Sequence, residues 1–282
     1  MTYLLYNLAA NSGKGDDAAK SALPYLFGKE LKQLDLAGMD FKAFLATLKA
    51  EDEVVLVGGD GTLNCFVNAV YPAPLPCPFF LFRGGTGNDF IRDVTNADKK
   101  KKLVKINDYL QKLPTVTVGT QTRYFLNGIG YGLDGKVCEI ADRRKEEGKQ
   151  KNNFGVIAFK ELTFSFKPYH ARVCVDGVTR EFDRVFMAPA MNGRYFGGGF
   201  KSAPEQDRLG DTLTLVVVHD ATKAWTLTHF STMLTGKHVK FTDQITLMTG
   251  KKIEVEFDRP CALQIDGETI LAVRRYVAEK PE

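Results

Sequence analysis

Apolar and polar positions along this chain fall into two textures. Over roughly the first 110 residues, short apolar runs each give way to a turn and then to apolar positions at helical spacing. Residues 2–6, 31–36, 54–57 and 79–82 read as strands. Phe41, Phe44, Leu45 and Leu48, and later Phe66, Val67 and Val70, mark the buried faces of helices. This alternation predicts a mostly parallel sheet with helices on both faces, a three-layer α/β domain. From about Thr115 the pattern shortens to alternating strands at 115–118, 123–126, 171–175, 184–190, 212–218, 253–257 and 261–265. Turn pairs Asp176-Gly177 and Asp266-Gly267 punctuate them, which predicts an antiparallel β domain. Helical patterns at 136–144 and 225–234 interrupt it, the charged stretch 143–151 reads as a mobile loop, and Lys99 to Lys102 as a solvated surface.

Composition narrows the class. A 44% hydrophobic, 26% charged chain of 282 residues is expected to be globular, with one large or two ordinary domains. The net charge of +4 is too small to argue for nucleic acid, and none is expected as a partner, but it suits a surface that meets anionic headgroups. The N-terminus runs directly into a strand pattern, so no signal peptide is expected, and no window reaches the length of an apolar membrane span. Cys65, Cys77, Cys138, Cys174 and Cys261 are odd in number and scattered, the pattern of reduced buried thiols in a cytoplasmic protein.

The candidate chemistry lies in the turns. The run 54–57 breaks into Gly58-Gly59-Asp60-Gly61-Thr62-Leu63-Asn64, a turn that opens a helix. The first N–H groups of a helix have no intrahelical partner, and the dipole there favours an anion. A carboxylate does not suit a pure anion cradle, so Asp60 suggests phosphate together with a divalent cation. Two further strands end the same way, in Asn7 to Gly15 with Ser12 and Gly13, and in Gly84-Gly85-Thr86-Gly87-Asn88-Asp89. In a parallel sheet these turns share the carboxyl edge, where ligands bind.

Five motifs in order, Gly58 to Asn64, Gly85 to Phe90, Gly128 to Asp134, Asn192 to Gly199 and Asp266-Gly267-Glu268, resemble the diacylglycerol kinase catalytic family, most closely its soluble bacterial lipid kinases. The first motif alone is shared with NAD kinases; the others favour lipid kinases. The resemblance implies a nucleotide-binding α/β domain at 1–115, a β-sandwich acceptor domain at 116–267, and a return of 268–282 to the first domain. It implies ATP and Mg²⁺ as cofactors, with nucleotide contacts at Asn7, Ser12, Gly13, Gly58, Gly59, Asp60, Gly61, Thr62, Leu63, Asn64, Thr86 and Glu268. Asp60 would serve a catalytic Mg²⁺, Asp266 would accept the proton of a lipid hydroxyl, and Gly85, Asn88 and Asp89 complete the second motif. Diacylglycerol is the leading acceptor, collected in transient contact with the inner membrane surface.

The chain departs from the family's pattern in places. Leu8 follows Asn7 where proline is usual, Cys65 stands where an acidic residue often does, and Arg83 replaces a proline. Relatives with a structural Mg²⁺ carry consecutive aspartates before a glycine, whereas Asp207 and Asp211 are separated here. The rival readings are a NAD kinase-like phosphotransferase and an inactive nucleotide-binding regulator. Exposed strand edges leave a homodimer open.

Overall fold

The computed structural model describes residues 1–8, 15–85, 87–148 and 154–281. The chain divides into two compact units, 1–112 and 113–282.

The first unit alternates as its sequence suggests: β1 (Thr2–Tyr6), α1 (Gly15–Ala22), β2 (Leu31–Asp35), α2 (Phe41–Thr47), β3 (Glu53–Gly58), α3 (Asp60–Val70), β4 (Phe79–Arg83), α4 (Asp89–Val94) and β5 (Leu103–Lys105). The sheet order is β2-β1-β3-β4-β5, parallel except for β5. Successive strand residues face opposite sides. On one side Leu4, Val55, Val57 and Phe82 pack on Ala19 and Ala22 of α1. On the other, Phe66 of α3 lies 5.4 Å from both Phe41 and Phe79. Burying such a phenylalanine stabilises by about 1.5–3 kcal/mol. The strand order reverses between β1 and β3, which lie side by side, so the segments leaving their carboxyl ends flank a topological switch point.

The second unit comprises β6 (Thr115–Val118), β7 (Gln121–Tyr124), β8 (Gly128–Tyr131), α5 (Leu133–Glu146), α6 (Phe154–Lys160), β9 (Tyr169–Val175), β10 (Val178–Val185), β11 (Ala190–Met191), β12 (Leu213–Val218), α7 (Lys223–His229), β13 (Ile245–Gly250), β14 (Lys252–Ile265) and β15 (Glu268–Glu279). All its strand pairings are antiparallel. Its core is aromatic at the centre: Tyr131 stacks 3.9 Å from Phe257 and meets Tyr276 edge-on.

Several local expectations change. The strands expected at 253–257 and 261–265 are one 14-residue strand, β14, whose halves pair with β9 and with β8. A bulge between Glu256 and Cys261 accommodates Pro260, which has no N–H for the ladder. The strand expected at 184–190 is split, with β10 ending at Val185 and β11 beginning at Ala190 after Pro189. Residues 143–146 are the last turn of α5 rather than loop, and 149–151 lie outside the described residues. Lys99 to Lys102 are exposed coil and turn. Residues 268–279, expected to return to the first domain, form β15, which pairs with β14 and β6 inside the second unit. The Asp266-Gly267 turn makes that pairing local: φ is +48° and +95°, the left-handed geometry of a tight hairpin. Cys65 is exposed, contrary to the expectation of buried thiols throughout, and all five cysteines are free.

Candidate active site

In the first unit the turns after β3 and β4 are built against each other. A Cβ on Gly59 would fall 2.2 Å from the Gly87 carbonyl oxygen, and one on Gly85 2.6 Å from Gly59 Cα, so both positions require glycine. The Asp60 N–H donates to that Gly87 carbonyl at 3.1 Å. The Asp60 carboxylate accepts from the Asp89 N–H at 2.8 Å and the Phe90 N–H at 2.9 Å, capping α4 from a neighbouring turn. Asn88 precedes α4 without capping it; its amide donates to the Gly85 carbonyl, and Asp89 is ion-paired with Arg92 at 2.8 Å. Asp60 is therefore first a clamp between two turns. Any role toward a metal would use the lone pairs these two bonds leave.

Gly61 behaves differently. A Cβ there meets nothing within 4 Å and φ is not positive, so neither packing nor backbone geometry requires glycine. The N–H groups of Gly61 and Thr62, in the first turn of α3, have no hydrogen-bond partner among the described residues. Space beside Gly61 Cα and two donors without a partner among the described residues, at the positive end of an 11-residue helix, suit an anionic oxygen. Gly58 is fixed by packing, since its Cβ would sit 2.5 Å from Thr62 Cβ. Leu63 and Asn64 are buried; the Leu63 N–H is spent on the Gly59 carbonyl, and the Asn64 Oδ1 accepts from Asn68 at 3.1 Å. Asn7 follows β1 at the same sheet edge, while Ser12, Gly13 and Thr86 lie outside the described residues. At the end of β4 and in the turn that follows, Arg83 Nε and Asn88 Oδ1 are buried without a partner among the described residues. A donor and an acceptor orphaned beside the Gly61 turn fit a polar ligand such as a nucleotide with its cation.

In the second unit, the Asp266 carboxylate accepts three backbone N–H bonds, from Leu126 (2.5 Å), Asn127 (2.8 Å) and Gly128 (3.2 Å). Those amides leave the ladder, which is why β7 stops at Tyr124 instead of running to Leu126 as expected. Glu268, two residues on, is exposed and ion-paired with Arg123.

Beside this turn lies a carboxylate to which its motif had assigned no role. Asp134, in the first turn of α5, accepts from Gln264 Nε2 at 2.7 Å, and Gln264 Oε1 accepts from the Gly267 N–H at 2.7 Å. Burial raises the Asp134 carboxyl from its ordinary 3.8 to about 6, against the opposing effect of the Gln264 bond. Gly130 makes room for this arrangement: a Cβ there would overlap Asp134 Oδ2 at 1.6 Å. The signal in sequence is that Gly130 and Gly132 flank a strand residue just before a carboxylate.

Asp207 and Asp211, the residues expected to stand where relatives hold a structural Mg²⁺, lie four positions apart on the loop before β12. Asp207 accepts from the nearby Leu209 N–H, and among the described residues no three His, Cys, Asp or Glu side chains are grouped to hold a metal. Between them, the buried Arg208 guanidinium bonds the Leu126 carbonyl and Asn127 Oδ1. The buried Lys280 ammonium bonds Asn192 Oδ1 at 2.5 Å and the Arg208 carbonyl at 2.9 Å. Both cations tie the loop that carries Asp207 and Asp211 to neighbouring segments of the second unit. No spacing in the sequence signals Lys280, 72 residues from Arg208.

Under α7 lies an apolar pocket lined by Leu133, Phe186, Met187, Trp225, Met233 and Ile245, with a cavity of about 20 Å³. His238 also borders it; its Nε2 bonds the Ser202 carbonyl at 2.9 Å, and its Nδ1 has no partner among the described residues.

Comparison with known proteins agrees with this architecture. Residues 1–118 match the diacylglycerol kinase catalytic domain, and residues 127–282 match the YegS C-terminal NAD kinase beta sandwich-like domain. YtlR of Bacillus subtilis (strain 168), provisionally named a lipid kinase, is 25% identical over 248 residues, covering 81% of this chain and 77% of YtlR. A crystal structure from Bacillus anthracis str. Sterne, provisionally named a diacylglycerol kinase, superposes with a TM-score of 0.68 at 20% identity, covering 100% of this chain and 92% of that one. Yeast NADH kinase complexed with NADH superposes with a TM-score of 0.50 at 8% identity, covering 100% of this chain and 80% of that one. At these identities the structural likenesses establish the fold.

Proposed function

This chain belongs to the diacylglycerol kinase catalytic family, with a YegS-type C-terminal domain, and from that premise we propose that it transfers the γ-phosphate of ATP to the free hydroxyl of a lipid, diacylglycerol first. The observation that carries the reading is the first turn of α3 at the switch-point edge of the sheet, where the Gly61 and Thr62 N–H groups have no partner among the described residues and the space beside Gly61 Cα holds none of their atoms.

In this reading the turn Gly58 to Asn64 cradles the nucleotide phosphates through Gly61 and Thr62, with Asn7, Ser12, Gly13 and Thr86 as further contacts. Leu63 and Asn64 support the turn from the core. Asp60 would hold Mg²⁺, directly or through water, and the ion would neutralise phosphate charge during transfer. Asp266, held in place by three amides, takes the proton of the acceptor hydroxyl, and Glu268 stands beside it. The pocket under α7 receives acyl chain; at about 20 Å³ it holds about one water, so entry requires α7 to shift.

Incubation with Mg²⁺ and γ-labelled ATP over an array of lipids with free hydroxyls tests the reading. Label on diacylglycerol supports it. ATP binding with no labelled lipid would instead favour a nucleotide-binding regulator.

A further inference from the structure

Residues 143–167 carry seven cations and three carboxylates, a surplus of four. The other concentrated run, residues 99–105, has five lysines and no carboxylate, but Lys99 to Lys102 are coil and turn with no apolar side chain among them. The cations include Arg143, Arg144 and Lys145 in the last turn of α5, Lys160 on α6, and Lys167 beyond it.

The same segment exposes apolar side chains. α6 continues into a π-turn, Glu161–Ser165, and together they bury Ile157, Ala158 and Leu162. Val156, Phe159 and Phe164 face outward, 46%, 58% and 79% exposed. Positions 156, 159, 160, 163 and 164 follow helical spacing, so these side chains form one stripe with Lys160 and Thr163. Two exposed phenylalanines on a helical stretch within a positively charged segment suit a water–lipid boundary better than bulk water.

We propose that this stripe docks the protein on an anionic bilayer, with Phe159 and Phe164 entering the headgroup–acyl boundary and the flanking lysines and arginines meeting lipid phosphates. The proposal rests on the lipid-kinase reading and names the surface that serves it. The turn Glu161–Ser165 packs on α7, whose residues line the apolar pocket, so docking sets the bilayer beside the acceptor's place of entry.

A Phe159→Ser/Phe164→Ser double variant tests this, both side chains being exposed enough for the fold to survive; an unchanged melting temperature checks that. In flotation with mixed phosphatidylcholine–phosphatidylglycerol vesicles, the wild type is expected to bind, and more weakly to phosphatidylcholine alone. The variant's partitioning should fall at least about tenfold. Its turnover should fall on long-chain diacylglycerol in vesicles and stay unchanged on a short-chain, water-soluble diacylglycerol. Equal flotation of variant and wild type, or wild-type binding indifferent to anionic lipid, would overturn the proposal. So would a wild-type dimer that the variant loses in sedimentation, because the stripe would then join two copies of the chain. Flotation requires no phosphoryl transfer. A protein that floats as expected but labels no lipid would refute the kinase reading and still support the docking surface.

Discussion

Gly61 is the residue at which stability and function make opposite demands. Alanine there meets no atom of the described residues and removes the cost of glycine in a helix, so Gly61→Ala should stabilise the protein by about 0.5–1 kcal/mol in thermal unfolding. If phosphate oxygens approach that backbone, the same methyl should raise KM for ATP at least about tenfold. A variant both more stable and unimpaired would remove the phosphate from this turn. Asp134 poses a similar opposition. Its carboxyl titrates higher in the folded protein than the ordinary 3.8, so its contribution to stability is full below about pH 4 and lost as pH rises through about 6. Asp134→Asn keeps an acceptor for Gln264 and carries no charge. It should therefore melt with the wild type near pH 4 and gain up to about 3 kcal/mol on it by pH 8. A constant difference across that range would contradict the assignment. Asp266→Asn should abolish turnover while ATP still binds. Because an amide cannot accept all three N–H bonds, a loss of about 1.5–3 kcal/mol should accompany it. Near wild-type turnover would end its role as proton acceptor.

At the scale of elements, what could be read in advance depended on whether a residue's partner was local. The strands and helices of the first unit were legible because each apolar run meets its own helix. The hairpin at Asp266-Gly267 was visible from its turn pair. β8 was not, because Gly128 and Gly130 leave it few side chains and its burial comes from neighbours distant in sequence. β15 was missed because half its residues are exposed and its apolar positions do not alternate cleanly, so only its pairing with β14 reveals it. The site was legible in the same measure. The glycine turns announced themselves, but Asp60 as a clamp on α4, the Asp134–Gln264–Gly267 chain and the Lys280 tie are long-range contacts. Lys280 directly follows β15 and joins its end to two loops, so Lys280→Met should cost about 1.5–3 kcal/mol, read as a lower denaturation midpoint at unchanged slope.

For the molecule as a whole, buried Arg208 and Lys280 tie the 207–211 loop to the rest of the second unit through bonds to protein groups, which predicts a fold that does not depend on a metal. Excess EDTA, with no nucleotide present, should leave the melting temperature unchanged; a drop of several degrees would show a metal beyond the residues considered. Among the described residues no helix is long and apolar enough to cross a membrane. The fold itself is shared with a NADH kinase, so architecture alone does not choose the acceptor. The measurement that chooses is a single reaction holding Mg²⁺, γ-labelled ATP, diacylglycerol vesicles and NAD together, with the products separated. Label in the lipid fraction as phosphatidic acid is the expected result. Label in the dinucleotide fraction, with none in lipid, would contradict it.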